Sequence, residues 1–100
     1  MQHLNITQYN FFKRLSTLDY VEKIELYGSR ARGDNFERSD IDLAIYCPKA
    51  TDRQWYDLLD IIDEADTLLH IDCIRLDNLD KKDNLYNHIK RDGVTLFSRN

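Results

Sequence analysis

Residues 28–46 read GSRARGDNFERSDIDLAIY: a glycine–serine bend, a polar loop, then two aspartates opening an apolar run. The bend follows directly on a first apolar run, Lys23-Ile24-Glu25-Leu26-Tyr27, and the second run is Leu43-Ala44-Ile45-Tyr46. Read as β-strands, the runs place every second side chain on one face, so Asp40 and Asp42 point the same way. Their Cα atoms then lie about 6.5 Å apart, close enough for both carboxylates to converge on one or two hard cations. Gly28-Ser29 falls where a strand gives way to a helical turn or tight loop, and there it offers backbone N–H groups to an anion. A phosphate-binding bend feeding a paired-carboxylate strand predicts metal-assisted nucleotide chemistry.

Upstream of this stretch, Phe11, Phe12, Leu15 and Leu18 recur at helical spacing, predicting a helix over residues 7–19 with Thr7 as its N-cap. Residues 21–27 form the first predicted strand. Ala31-Arg32 makes a single helical turn that Gly33 stops, and residues 34–39 make a polar loop. Residues 40–47 form the second strand, ended by Pro48, which cannot donate to a sheet ladder. Downstream, Trp55, Leu58, Leu59, Ile62 and Ala65 stripe a helix over residues 52–66, capped by Thr51 or Asp52. Residues 68–76 form a third strand, residues 79–91 a helix broken at Asp92-Gly93, and residues 94–97 a fourth strand or extended tail. The connection between strands one and two is too long for a tight hairpin. The expectation is therefore an α/β (α+β) fold, a small mixed β-sheet with helices packed mainly on one face.

One hundred residues suit one domain, residues 1–100, with a single modest core. With 42% hydrophobic and 32% charged residues, the composition is that of an ordinary globular chain and not of a disordered one. A net charge of −4 and a pI near 5.2 argue against a nucleic-acid surface, which requires a basic field. Cys47 and Cys73 fall in predicted strands without zinc or redox spacing, and read as packed free thiols. The N-terminal stretch MQHLNITQYNFFKRL lacks the apolar core of a signal peptide. No run reaches the roughly 18 apolar residues of a membrane span, so no membrane contact and a cytoplasmic location are expected. His3, His70 and His88 show no metal-ligand spacing, and His70 reads as structural despite sharing a face with Asp72.

Leu26-Tyr27-Gly28-Ser29, ten residues from Arg30 to Ser39, then Asp40-Ile41-Asp42-Leu43 form a pattern. It resembles the minimal nucleotidyltransferase (MNT) family of the DNA polymerase β superfamily. The longer match, GSRARG followed by SDIDLAI, is much more specific than Gly-Ser alone. In that family a third carboxylate comes from a later strand in an apolar-Asp-apolar setting. His70-Ile71-Asp72-Cys73-Ile74 supplies it, making Asp72 the matching residue. The resemblance covers nearly the whole chain and implies the same architecture. Aspartate is disfavoured inside strands, so three such placements call for a reason.

The resemblance implies roles as well. Asp40 and Asp42 are expected to bind nucleotide-bound Mg²⁺, and Asp72 to complete a second metal site and take the proton of the incoming hydroxyl. Gly28 and Ser29 would receive the β- and γ-phosphates. Arg30, Arg32 and Ser39 are the further expected nucleotide contacts, Arg32 ahead of Arg30 because it sits in the family's Ala-Arg-Gly position. The implied reaction is nucleotidyl transfer from a nucleoside triphosphate to a hydroxyl, releasing pyrophosphate. Members resembling this chain are commonly encoded beside HEPN-domain proteins (higher eukaryotes and prokaryotes nucleotide-binding). There they act as antitoxins, adding AMP to a tyrosine of the HEPN ribonuclease. The expectation is therefore a protein adenylyltransferase using ATP and Mg²⁺ on a HEPN-domain toxin. A steric antitoxin that merely occludes its partner is a second reading, but it needs neither Gly-Ser nor three carboxylates. A small-molecule (antibiotic-type) nucleotidyltransferase is a third, and normally carries extra substrate-binding sequence that is absent here.

Overall fold

The computed structural model describes residues 5–99, so His3 lies outside the described residues. Four strands, β1 (Lys23–Tyr27), β2 (Ile41–Tyr46), β3 (Ile71–Arg75) and β4 (Val94–Ser98), form one sheet in the order β3-β2-β1-β4. β1 is antiparallel to both neighbours, whereas β2 and β3 run parallel, so the sheet is mixed as expected. Alternation along the strands sends Ile24, Leu26, Ile41, Leu43 and Ile45 to one face. There they meet the apolar sides of α1 (Asn10–Thr17) and α3 (Asp52–Asp63) in the main core. The other face carries Ala44, Tyr27, Tyr46 and Ile74, and is partly covered by Ile89 of α4 (Asn84–Asp92). A single helical turn, α2 (Ser29–Arg32), separates β1 from the loop that leads into β2.

The helix ends explain where the predicted bounds shift. α3 starts with a capping box: Gln54 N–H donates to Thr51 Oγ1 (3.1 Å) and Thr51 N–H to Gln54 Oε1 (2.9 Å), which selects Thr51 over Asp52 as cap. α4 begins at Asn84 and not at Leu79, because the Asp83 carboxylate accepts from Leu85 N–H (2.8 Å). Strand β3 is shorter than residues 68–76. The Thr67 hydroxyl accepts from Leu69 N–H in a turn before it, and a 3-10 turn, Leu76–Asn78, follows it.

Thr7 does not cap the first helix. It lies in a 3-10 turn, Ile6–Gln8, and α1 opens at Asn10. The cap comes from far along the chain: Asn10 and Phe11 N–H groups donate to the two oxygens of Asp66 at 3.0 and 3.1 Å. The Asn10 and Phe11 amide bonds hold the Asp66 carboxyl below its ordinary range. A depressed acid stabilises the fold above its unfolded pKa, and loses that contribution as pH falls through the folded value. Asp66→Ala is accordingly expected to lower Tm at neutral pH, with the gap to wild type closing in melts taken at increasingly acid pH.

A second long-range tie fixes the exit of β2. Arg75 pairs with Asp77 at 2.8 Å, each side chain only 11% exposed. Arg75 Nη2 also donates to the carbonyls of Cys47 and Ala50, both at 3.0 Å. Asp77 accepts in turn from Cys47 N–H (2.9 Å). Asp77→Ala would strand a largely buried guanidinium. The expected loss is about 2–3 kcal/mol, below the range for a fully buried pair because two carbonyl acceptors remain. A lowered urea midpoint at unchanged m-value checks it.

Candidate active site

β1 runs out at Tyr27, which pairs with Asp42 across the antiparallel ladder, so Gly28 meets the aspartate-bearing strand immediately. Gly28 has φ +75° and ψ −157°, a conformation essentially reserved for glycine. A Cβ at this position would run into Asp42 Oδ2 and lie 3.1 Å from Asp42 Cγ. The bend therefore holds bare backbone against the carboxylate. From there the Gly28 carbonyl accepts from Ala31 and Arg32 N–H (both 3.1 Å), which winds α2. Gly33, at φ +84°, closes it as the sequence predicts. The first amides of so short a helix have no acceptor within it, and remain available to an anion.

Asp42 stands in parallel register with Asp72 on β3, so both side chains leave the same face of the sheet. Asp40 lies two residues upstream of Asp42 and is exposed. Burial, then the charge of Asp72, then that of Asp40 raise the Asp42 pKa, against opposing pulls from His70 and Arg32. The Tyr27 phenol is pushed far above its ordinary value by burial, Asp72 and Asp42. Tyr27 stands in the Leu26-Tyr27-Gly28-Ser29 pattern without an expected role, and the β1–β2 register sets it opposite Asp42. Among the described residues, no three His, Cys, Asp or Glu side chains form a ready-made metal cage. The aspartates are instead crowded like charges at one sheet edge. Hard oxygen donors set against a bare-backbone bend suit a divalent cation carrying phosphate.

The remaining expected contacts divide. Arg30 turns to the loop: Nε and Nη2 donate to the Ser39 carbonyl (3.1 and 2.8 Å), and Nη2 to the Glu37 carbonyl (2.9 Å). Ser39 Oγ accepts from Phe36 N–H (2.9 Å). Both residues thus shape the loop that delivers Asp40. Arg32 pairs with Asp34 at 3.1 Å in an exposed contact, and its charge reaches Asp42. The His70 carbonyl accepts from Ile41 N–H (2.9 Å), joining the starts of β2 and β3. The thiols play no visible part. Burial pushes Cys47 up to about 11 and Cys73 up to about 12, which leaves both poor nucleophiles. No helix among the described residues is long and apolar enough to cross a membrane.

Comparison with known proteins follows this geometry. A family model described as "Polymerase beta, Nucleotidyltransferase" matches residues 10–100. A search of curated proteins returned no match. A toxin–antitoxin crystal structure with AMP-PNP superposes with a TM-score of 0.66 at 19% identity, over 89% of this chain and 72% of that one. Two mutant forms of the toxin–antitoxin MntA–HpeT behave alike. One gives a TM-score of 0.65 at 17% identity, over 89% of this chain and 72% of the other. The second gives 0.63 at 22%, over 89% and 71%. At these identities the likeness is one of fold.

Proposed function

The chain belongs to the polymerase β nucleotidyltransferase family, and on that premise we propose that it is a protein adenylyltransferase that moves AMP from ATP to a tyrosine hydroxyl of a HEPN-domain toxin. Residues 1–100 would act as one minimal nucleotidyltransferase domain. The observation that carries the reading is Asp42, held against the Gly28 backbone and in register with Asp72. The fold neighbours support an adenine nucleotide and a toxin partner, since they are toxin–antitoxin structures and one contains AMP-PNP. The HEPN character of the partner comes from the family resemblance.

Asp40, Asp42 and Asp72 would hold Mg²⁺, as two ions, whose chemistry when bound is to offset phosphate charge and to make the attacking hydroxyl more acidic. Gly28 and Ser29 receive the terminal phosphates through backbone N–H groups and the Ser29 hydroxyl. Arg32, at the rim, adds a cation that can swing from Asp34 to phosphate. Arg30 and Ser39 act one step back, fixing the loop before Asp40. Asp72, exposed like Asp40, takes the proton of the tyrosine hydroxyl as that oxygen bonds to the α-phosphorus and pyrophosphate leaves.

The test is direct. The chain, a HEPN-domain protein encoded beside it, Mg²⁺ and each nucleoside triphosphate in turn are incubated, and the partner is weighed intact. Whole AMP units appearing on the partner with ATP, and not in EDTA, are the expected result. A partner neutralised without gaining mass would replace transfer by steric occlusion.

A further inference from the structure

We propose that the aspartate end of the sheet is a docking face for a protein acceptor, with Phe36 and Leu68 as its apolar anchors. This rests on the function proposed above and names the kind of surface that meets the site. β1 ends, and β2, β3 and β4 begin, at one edge, as the pairings Tyr27↔Asp42, Ile41↔Ile71 and Leu26↔Val94 require. Among the described residues, the exposed large hydrophobics are Phe36 (83%), Tyr56 (64%), Leu68 (fully exposed) and Val94 (44%). Phe36 lies on the loop into β2, Leu68 on the segment into β3, and Val94 opens β4. Tyr56, on α3, belongs to another part of the molecule, and Val94, paired with Leu26, takes the α1/α3 face, opposite to that of Asp42. A single exposed apolar side chain is ordinary, but Phe36 and Leu68 each stand four residues before a site aspartate, Asp40 and Asp72, on the two segments that lead into β2 and β3.

Neither anchor hangs from a loose segment. Phe36 heads a turn closed by Ser39 N–H to the Phe36 carbonyl (3.1 Å) and Phe36 N–H to Ser39 Oγ (2.9 Å). Arg30 ties down the far side of that turn at the Ser39 and Glu37 carbonyls. The turn brings the Phe36 Cα within about 7 Å of that of Ser39, the residue before Asp40. Leu68 sits between two fixed points: Asp66, bonded to the start of α1, and His70, bonded to Ile41. Its neighbour Leu69 turns inward to the core. Apolar side chains already held by ordered backbone lose little freedom on docking, as interface anchors do. A small hydroxyl substrate has no use for two anchors on separate loops, whereas a folded protein presenting a tyrosine amid apolar surface spans both. Such a contact would also keep water from the carboxylates during transfer.

The double variant Phe36→Ser/Leu68→Ser tests this, with Tyr56→Ser as control. Transfer to the HEPN-domain protein encoded beside the chain is followed kinetically, Mg·ATP affinity by calorimetry and folding by Tm. The expected result is a KM for the protein acceptor raised roughly tenfold or more. The same variant keeps kcat, Mg·ATP affinity and Tm, and Tyr56→Ser changes nothing. An unchanged KM alongside intact transfer overturns the docking face and leaves the transferase standing. If no AMP is transferred at all, calorimetric binding of the two ATP-free proteins decides. Binding weakened by the double variant upholds the face while the transfer reading falls; unweakened binding sinks the face. Sedimentation showing that Phe36 and Leu68 pair two copies of this chain would overturn it as well.

Discussion

Asp42→Asn is expected to cut AMP transfer by about 10²–10³-fold or more, while Tm stays level or rises. The two halves of this result have one cause. Asp42 is half-buried, with Asp72 beside it and Asp40 two residues away, so its ionised form is disfavoured in the fold. A carboxyl raised above its unfolded pKa opposes folding at neutral pH, and that opposition fades as the pH falls to the ordinary aspartate range. Asparagine keeps the shape and removes the charge, so the free protein is relieved of the conflict. On the proposed function, the same charge is what a nucleotide-bound cation would require. Activity is measured on the partner by mass, and stability by melts in EDTA at neutral pH. A marked fall in Tm would show that the carboxylate holds the fold together, and would sink the account of Asp42 as a strained functional group.

Gly28→Ala is expected to damage fold and activity together. Its backbone angles belong to glycine, and an alanine forced into them costs about 1–3 kcal/mol. The added methyl also meets Asp42 Oδ2 and must displace it, so transfer should fall about 10²-fold even in the fraction that folds. A double-mutant cycle separates the two effects. Asp42→Gly removes the obstacle but not the backbone strain, so Gly28→Ala should destabilise less in that background than in wild type. Equal losses in both backgrounds would mean that the methyl never meets the carboxylate. Ordinary stability and activity in Gly28→Ala would remove the bare-backbone bend from the account altogether.

The order of elements was open to reading because it is written locally. Alternating apolar residues mark β1 and β2, Gly33 stops α2, Pro48 follows β2, and Thr51 with Gln54 opens α3. Asp42 and Asp72 were legible as a pair only through the expected fold, and the parallel register supplied their alignment. What escaped depends on groups distant in the chain. Nothing near Asn10 announces that Asp66 caps its helix, and Thr7 was the better local candidate. Arg75 and Asp77 look like any solvated pair until the β2 exit folds over them. Arg30 has the chemistry of a phosphate ligand, but two loop carbonyls lie within its reach. Tyr27 adjoins Gly28 in the sequence, but its pairing with Asp42 is a matter of strand register, which no spacing rule encodes.

The tie between β1 and β4 has a bearing on how the chain comes into being. Arg99 closes the sheet's seam, donating to the carbonyls of Val21 (3.0 Å), Ser16 (3.1 Å) and Leu18 (2.7 Å). During synthesis, β1 emerges early and cannot gain its second neighbour until residues 94–99 have cleared the ribosome. Through that interval its outer ladder is unpaired, and a nascent chain is open to wrong partners. Slowing translation over the codons for residues 47–93 should therefore lower the yield of native protein more than slowing it over those for residues 1–22, at identical sequence and identical final stability.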